Sequence, residues 1–499
     1  MNYKVNNITI VGGGTSAWLT AAYLSKRGFN ITVIDKEVGT PIGVGEATLL
    51  GFASFMDDCG FEFEDWFTNC DATFKAGILY PGWVTQNNEV WAPFYLSPLV
   101  DANIRMQDAW SHTQNLDFKT RGTCMYEVSK QNKIDRSVID SYAFHVDAGK
   151  LVTYIQDRIM HRCKLIKSDV VTVIRNNNNK VEGLKLKDER LIASDLFIDC
   201  TGMKSIINDV KYESLYGRLF CNTALACPVQ YTDKQNEMHP YTKAVAVDHG
   251  WIWITPTASR IGTGLVFDKN ITSVDSAKDF FVNFWDGRVD KNKIRVLDWT
   301  PQYTKTPWVN NVVSIGLSAG FIEPLESTGI ALIISQTKQL FDRIADFSYT
   351  TDSINLYNYQ FTESFESSVD FVSSHYSNTE RTEPFWQNVK NNYVKTNNIE
   401  LKEELIKSGP IYSEHKKSGH LFTGANWTTW LIALGNKVGA TKNIDSTYAQ
   451  TVLDNYYNIV EKYRAVTGID HIQEVKRINL YTRTYLNKTE WSEEQFRGR

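Results

Sequence analysis

Close to its start the chain runs an apolar strand, Ile8 to Val11, straight into Gly12, Gly13 and Gly14 and then into a helical pattern from about Thr15. A second apolar strand follows from Ile31 to Ile34. Strand, glycine turn, helix and strand in that order open a βαβ unit, which commits the chain to an α/β fold. Gly12, Gly14 and Ala17 also satisfy the spacing G-x-G-x-x-G/A. Small residues there let the helix N-terminus, with Thr15 at its head, approach a pyrophosphate. Asp35 closes the second strand, where an acidic side chain would hold an adenosine ribose hydroxyl. The plainer alternative is a glycine turn in an ordinary α/β protein. Strand, turn, helix and acid together favour the dinucleotide.

The rest of the chain narrows the class through its composition. With 42% apolar and 22% charged residues among 499, the chain has ample material for a core. Lys plus Arg is 53 and Asp plus Glu is 57, a net charge of −4, so nothing attracts nucleic acid or an anionic membrane in bulk. No run approaches the ~18 apolar residues of a membrane span, and the first residues carry no secretory pattern, which predicts a cytoplasmic protein. Cys59, Cys70, Cys124, Cys163, Cys200, Cys221 and Cys227 form no CxxC pair. They read as buried or inert thiols in a reducing compartment, with no metal site.

No Pro/Ser/Gly linker divides the chain, so its domains are expected to interleave. From Val170 the text VVTVI, RNNNNK, VEGLKL predicts two strands around a polar turn, and DLFIDCTG a further strand ending at Thr201 and Gly202. After about 328, apolar residues keep helical spacing at Ile330, Ile333, Ile334, Leu340 and Ile344, and again at Phe361, Phe365, Val369 and Val372, so the C-terminal third is mainly helical. Four segments stand out chemically. GVGEAT (43 to 48) is a second glycine loop that permits close approach to a ligand. GWIWITP (250 to 256) puts Trp251 and Trp253 on one side of an extended segment, as core anchors or as a pocket wall. In GFIEPLESTGIALII (320 to 334), Glu326, Ser327, Thr328 and Gly329 precede an apolar helix, whose first amides form either a capped end or an anion site. Lys75 is an isolated base among aromatic and small residues in CDATFKAGI.

Taken together these pieces resemble the flavin-dependent tryptophan-halogenase family. The matching text is GGGTSAW (12 to 18), GVGEAT, the TFK holding Lys75, FHVDAGKL (144 to 151), DLFIDCTG (195 to 202), GWIWITP, VSIGLSAGFIEPLESTGI (313 to 330) and ERTEPFW (380 to 386), in family order over most of the chain. The hairpin and DCTG strand are also similar to those of FAD-containing hydroxylases and reductases, which favours FAD over NAD. The resemblance implies an FAD-binding Rossmann-type βαβ module with a mixed sheet, interleaved with a mainly helical substrate-binding region. Residues 1–345 would form the FAD-binding core, with a substrate-facing insertion at about 76–140, and residues 346–499 the helical region. It further implies reduced FAD (FADH2) supplied by a separate flavin reductase, dioxygen (O2) and a halide ion, which together yield hypohalous acid, and an aromatic small-molecule substrate. A homo-oligomer is compatible with it.

By the same resemblance, Lys75 matches the lysine that holds the oxidant, and Glu326 the glutamate that orients it or takes the ring proton. Thr328 and Gly329 match the halide-binding amides. Gly12, Gly14, Thr15, Ala17, Asp35, Gly45, Ala47, Leu317 and Ile330 would contact the flavin nucleotide, while Trp251 and Trp253 would keep organic substrate away from it. The sequence departs from the family where tryptophan is bound. Thr255 replaces an Ile before Pro256. Ala92 stands where a His precedes Phe94, and Asn426, Trp427 and Thr428 replace Asn-Tyr-Tyr. Phe94, Trp427 and Trp430 are then candidate walls of a pocket for indoles, phenols or similar rings without an amino-acid tail, with bromide or iodide favoured over chloride. Two rivals are a flavin aromatic hydroxylase and a non-catalytic aromatic-binding flavoprotein. The hydroxylase's usual Gly-Asp pair is missing, because Leu317 follows Gly316; Lys75 and Glu326 weigh against the binding protein.

Overall fold

A computed structural model of the chain describes residues 3–36, 46–94, 106–113, 124–135, 140–411, 420–441, 444–466 and 468–486. Two units form, each from three stretches of sequence: Met1–Asp71, Val146–Tyr216 and Trp299–Glu366 in the first, Ala72–His145, Gly217–Asp298 and Ser367–Arg499 in the second. The chain thus passes repeatedly from one unit to the other. Residues 217–298, which the sequence groups with the flavin-binding core, fall in the second unit.

In the first unit the strand before the glycine turn, Asn7–Val11, lies inside a six-stranded sheet. The order is Cys163–Lys167, Asn30–Asp35, Asn7–Val11, Leu196–Asp199, Val312–Ser314, Trp308–Val309. Neighbours are parallel except for the last, antiparallel pair, so the sheet is mixed. Ile8 stands beside Ile31 and Ile10 beside Val33. Every residue from Ile8 to Val11 is buried, as in a parallel strand covered on both faces. Helix Thr15–Lys26 buries Ala17 to Ser25, and its Thr20 hydroxyl meets that of Thr337 on helix Thr328–Ile344 at 3.0 Å. The predicted hairpin pairs Val170–Arg175 with Val181–Leu186, and Leu184 and Leu186 pack among Val11, Ile34, Ile166 and Phe197. At its tip Asn176 Oδ1 accepts the N–H groups of Asn178 and Lys180 at 3.0 and 3.1 Å. The asparagine run is therefore a turn built on its own side chain.

The second unit holds a seven-stranded sheet: Arg295–Asp298, Thr223–Ala226, Ile261–Phe267, Gly250–Pro256, Thr242–Val247, Gly77–Pro81, Glu89–Pro93. Only the pair Thr242–Val247 and Gly77–Pro81 is parallel. Helix Val274–Phe284 sets Ala277 and Phe281 against Leu225, Ile252 and Leu265. Helices Pro384–Asn392, Asn397–Ser408, Gly424–Ala433, Ser446–Val466 and His471–Tyr481 make up the helical C-terminal region. Among the described residues, no helix is long and apolar enough to cross a membrane.

Candidate active site

The first unit carries the glycine turn. Gly12 takes φ +129°, and a Cβ there would stand 2.3 Å from the carbonyl oxygen of Cys200, so only glycine lets the turn meet the DCTG strand end. Gly12 N–H donates to Ile34 O at 2.8 Å, which closes the turn against the second strand. A Cβ on Gly13 would lie 2.0 Å from Asp35 Oδ1, so the carboxylate expected at a ribose reaches the turn itself, where it also pairs with Lys167. A Cβ on Gly14 would meet nothing within 4 Å, which leaves the helix head open beside Thr15. Gly43 and Gly45 lie outside the described residues; Ala47 is half-buried in the short strand Glu46–Ala47.

Two helices meet at a residue that the sequence does not mark as a site. Gly316 has φ +74°, a Cβ there would lie 2.9 Å from Ser16 Cβ, and its N–H donates to Gln336 Oε1 at 2.9 Å. It joins the glycine-turn helix to helix Thr328–Ile344. Leu317 beside it is 37% exposed, unusual for a leucine flanked by buried chain, whereas Ile330 is buried. The small-residue text Gly-Leu-Ser-Ala-Gly after a strand was the available signal. Asp199 was also missed: its buried carboxylate accepts from Thr201 N and Oγ1, Ser205 Oγ, and the N–H groups of Ile207 and Asn208. That single anion shapes the DCTG turn.

Glu326 ends the short 3-10 turn Pro324–Glu326 and is buried at 4% exposure. Ser327 then adopts φ +59°, and helix Thr328–Ile344 starts with no side-chain capping bond from it. Thr328 is wholly buried, and its Oγ1 has no hydrogen-bond partner among the described residues. A Cβ on Gly329 would meet nothing within 4 Å. A buried hydroxyl without a partner at a helix head is costly unless something else binds there.

The second unit carries Lys75. It ends strand Thr73–Lys75 and is fully buried, not on the surface as an isolated lysine usually is. Its Nζ lies 4.9 Å from the centroid of the Phe94 ring, a cation–π distance. Phe94 is brought there because its N–H donates to Ala76 O at 3.0 Å. Opposite Lys75 on strand Ala143–Val146 stands Ala143, and opposite Thr73 stands His145. Burial, then the charge of Lys75, holds the His145 imidazole well below its usual range.

Trp251 and Trp253 are both buried, their ring centroids 6.5 Å apart. Trp253 lies over Gly264, where a Cβ would collide with its ring at 2.1 Å, and its Nε1 has no partner among the described residues. Trp251 packs on Trp83 at 6.4 Å. Thr255 is buried at the end of the same strand. The C-terminal candidates are committed to the fold: Asn426 closes the capping box of helix Gly424–Ala433, Thr428 Oγ1 accepts from Ile411 N at 2.8 Å, and Trp427 packs edge-on to Phe371 at 5.1 Å. Trp430 stacks on His375 at 3.7 Å. Lys75, Phe94, the tryptophans and Thr428 thus belong to the second unit, and the glycine turn, Leu317, Glu326, Thr328, Gly329 and Ile330 to the first. Among the described residues no group of His, Cys, Asp or Glu is arranged to hold a metal. The thiols of Cys59, Cys70, Cys163, Cys200 and Cys227 are all raised by burial. Cys163 is only half-buried, and the side chain of Cys124 lies outside the described residues.

Comparison with known proteins adds the following. A family model described as tryptophan halogenase matches residues 7–449. The chain is 27% identical to the tryptophan 6-halogenase of Streptomyces albogriseolus, over 78% of this chain and 79% of that protein. It is 30% identical to a 7-chloro-L-tryptophan 6-halogenase of a Kutzneria species, over 77% of this chain and 81% of that one. Its fold matches a flavin-dependent halogenase from Xanthomonas campestris with a TM-score of 0.87 at 26% identity, covering 95% and 98% of the two chains.

Proposed function

The chain belongs to the tryptophan halogenase family of flavin-dependent enzymes, and on that premise we propose that it halogenates electron-rich aromatic small molecules lacking an amino-acid tail, with bromide or iodide favoured over chloride. The observation that carries the substrate reading is the state of residues 426–428. Asn426 commits its Oδ1 to the helix cap, and Thr428 commits its hydroxyl to the Ile411 backbone. An ammonium placed against either oxygen would meet an acceptor already in use, at a cost of up to several kcal/mol when buried.

The residues fit a flavin nucleotide. Gly12 and the open face at Gly14 suit a pyrophosphate, Asp35 reaches the turn from the ribose side, and exposed Leu317 offers an apolar contact. Bound reduced FAD, from a separate reductase, would supply the electrons by which dioxygen and halide become hypohalous acid. Thr328 Oγ1 and the amide of Gly329 would hold the halide, which would give the orphaned hydroxyl a partner. Buried Lys75, its Nζ 4.9 Å from the Phe94 ring centroid, would hold the oxidant through its nitrogen. Glu326 would orient the oxidant or take the proton that the ring loses.

The test is product mass after the protein, a flavin reductase, NADH, FAD, oxygen and an indole are mixed with each halide. Halogen replacing hydrogen is the expected result. Added oxygen would assign the hydroxylase instead, and unchanged indole the binding protein.

A further inference from the structure

On one face of the ladder formed by Thr73–Lys75 and Ala143–Val146 stand four side chains. Thr73 and Lys75, two residues apart, point the same way, and their partners across the ladder are His145 and Ala143. Ala143 is small and leaves room beside the lysine stem. His145 is fully buried and bonded on both nitrogens, with Nδ1 2.8 Å from Thr73 Oγ1 and Nε2 3.0 Å from Thr242 Oγ1. Thr73 has one hydroxyl proton and donates it to Pro256 O at 2.5 Å. It therefore accepts at His145, whose Nδ1 must carry a proton, and the neutral ring then takes the Thr242 hydroxyl proton on Nε2. The imidazole is neutral and of a single tautomer, in keeping with the depression that burial and Lys75 impose on it.

The relay ties four strands together, that of His145 and three others. Pro256 ends the strand of Trp251 and Trp253, Thr242 begins the neighbouring strand, and Thr73 lies two residues before Lys75. We infer that His145 is a positioning residue: as the neutral Nδ1–H tautomer it anchors Thr73 to the end of the tryptophan strand and so sets the place of the Lys75 ammonium. This rests on the role proposed above for Lys75. A displacement of about 1 Å at an oxidant-holding group can cost on the order of a hundredfold in rate, so the anchor should be visible in how much oxidant is used productively.

The measurement is halogenated product per flavin oxidised, alongside melting temperature, for the full-length protein with a flavin reductase. His145→Ala should lower that ratio roughly tenfold to a hundredfold while flavin oxidation continues at its former rate. His145→Asn places an amide N–H where Nδ1–H stood and should recover most of the ratio. His145→Gln fills more of the volume but places its amide toward Thr242, and should not recover it. Thr73→Val combined with His145→Ala should fall no further than either alone, since both break one path. An unchanged ratio in His145→Ala, equal rescue by Gln and Asn, or additive losses would overturn the inference while wild-type halogenation leaves the functional reading standing. No halogenated product from the wild-type protein would overturn both.

Discussion

The Lys75 ammonium sits 4.9 Å from the centre of the Phe94 ring, in a strand where no part of the lysine is exposed. Burying a lysine is expensive, and a buried base of this kind is a candidate for chemistry. Lys75→Ala should therefore keep FAD binding and oxygen-dependent flavin oxidation, since the glycine turn lies in the other unit, but lose halogenation by ~10²-fold or more. Stopped-flow flavin oxidation with a parallel product assay checks this. Substantial regioselective product from the variant would remove Lys75 from its role.

Glu326→Gln keeps shape and removes charge at a residue that is 4% exposed. Halogenation should slow by ~10²–10⁴-fold, the usual contribution of a general acid or base, with the far-ultraviolet spectrum unchanged. Unaltered turnover would reduce Glu326 to a structural acid beside the helix head.

Thr328→Val removes a hydroxyl that has no partner among the described residues. Because the folded protein gains little from that hydroxyl, the melting temperature should hold or rise, while the halide concentration needed for half-maximal rate should increase about tenfold, the worth of one hydrogen bond to an ion. A fall in stability with unchanged halide dependence would make the residue a helix cap and nothing more.

The glycine turn, the hairpin with its asparagine tip and the helical C-terminal region could be read in advance because each is set by local chemistry: a backbone that only glycine permits, a side chain that closes its own turn, a repeat of apolar positions. Gly316 and Asp199 could not. Their importance comes from what meets them across long sequence separations, Ser16 and Gln336 for the glycine and a ring of amides for the carboxylate, and a single sequence carries no mark of such meetings. Lys75 stands out in the sequence as an isolated base, but its burial depends on pairing with a strand some 70 residues away, and its role came only from the resemblance.

Three histidines of the second unit are held neutral by burial, which fixes the sign of the acid response. His471 is lowered to about 4, with Nδ1–H donating to Met238 O and Nε2 accepting from Phe74 N; His239 is lowered to about 3, and His145 lies well below its usual value. A base whose folded value is depressed gives stability that is complete above the unfolded value of 6.5 and is lost as pH falls below it. Urea midpoints should drop between pH 6.5 and 4, and His471→Gln should flatten part of that slope. A midpoint that rises on acidification across this window would contradict the burial of these rings.

Substrate choice follows from what residues 426–428 already hold. Amino-acid recognition needs partners for both an ammonium and a carboxylate, and here Asn426 Oδ1 accepts from the N-cap residue Thr423, Thr428 is bonded to Ile411, and Trp427 is packed on Phe371 with only carbon and an indole N–H to offer. Ala92, in strand Glu89–Pro93, provides neither a ring nor a polar atom where the family places a histidine before Phe94. On the proposed reading, an indole without a tail should lose nothing by these replacements, whereas the ammonium of tryptophan would meet acceptors already in use, at a cost of up to several kcal/mol. On the same reading, a more loosely held ring should react better with the more easily oxidised halides, bromide and iodide. In a competition between equimolar indole and tryptophan, brominated indole should dominate the product mixture, and replacing bromide by chloride should lower the yield for both. Writing a tyrosine back with Thr428→Tyr would break the Ile411 bond, so the cleaner probe is the wild-type enzyme across a series of indoles bearing no tail, an amine, a carboxylate, or both. Rate should fall in that order with each added charge, and dominant chlorination of tryptophan at one carbon would overturn the assignment.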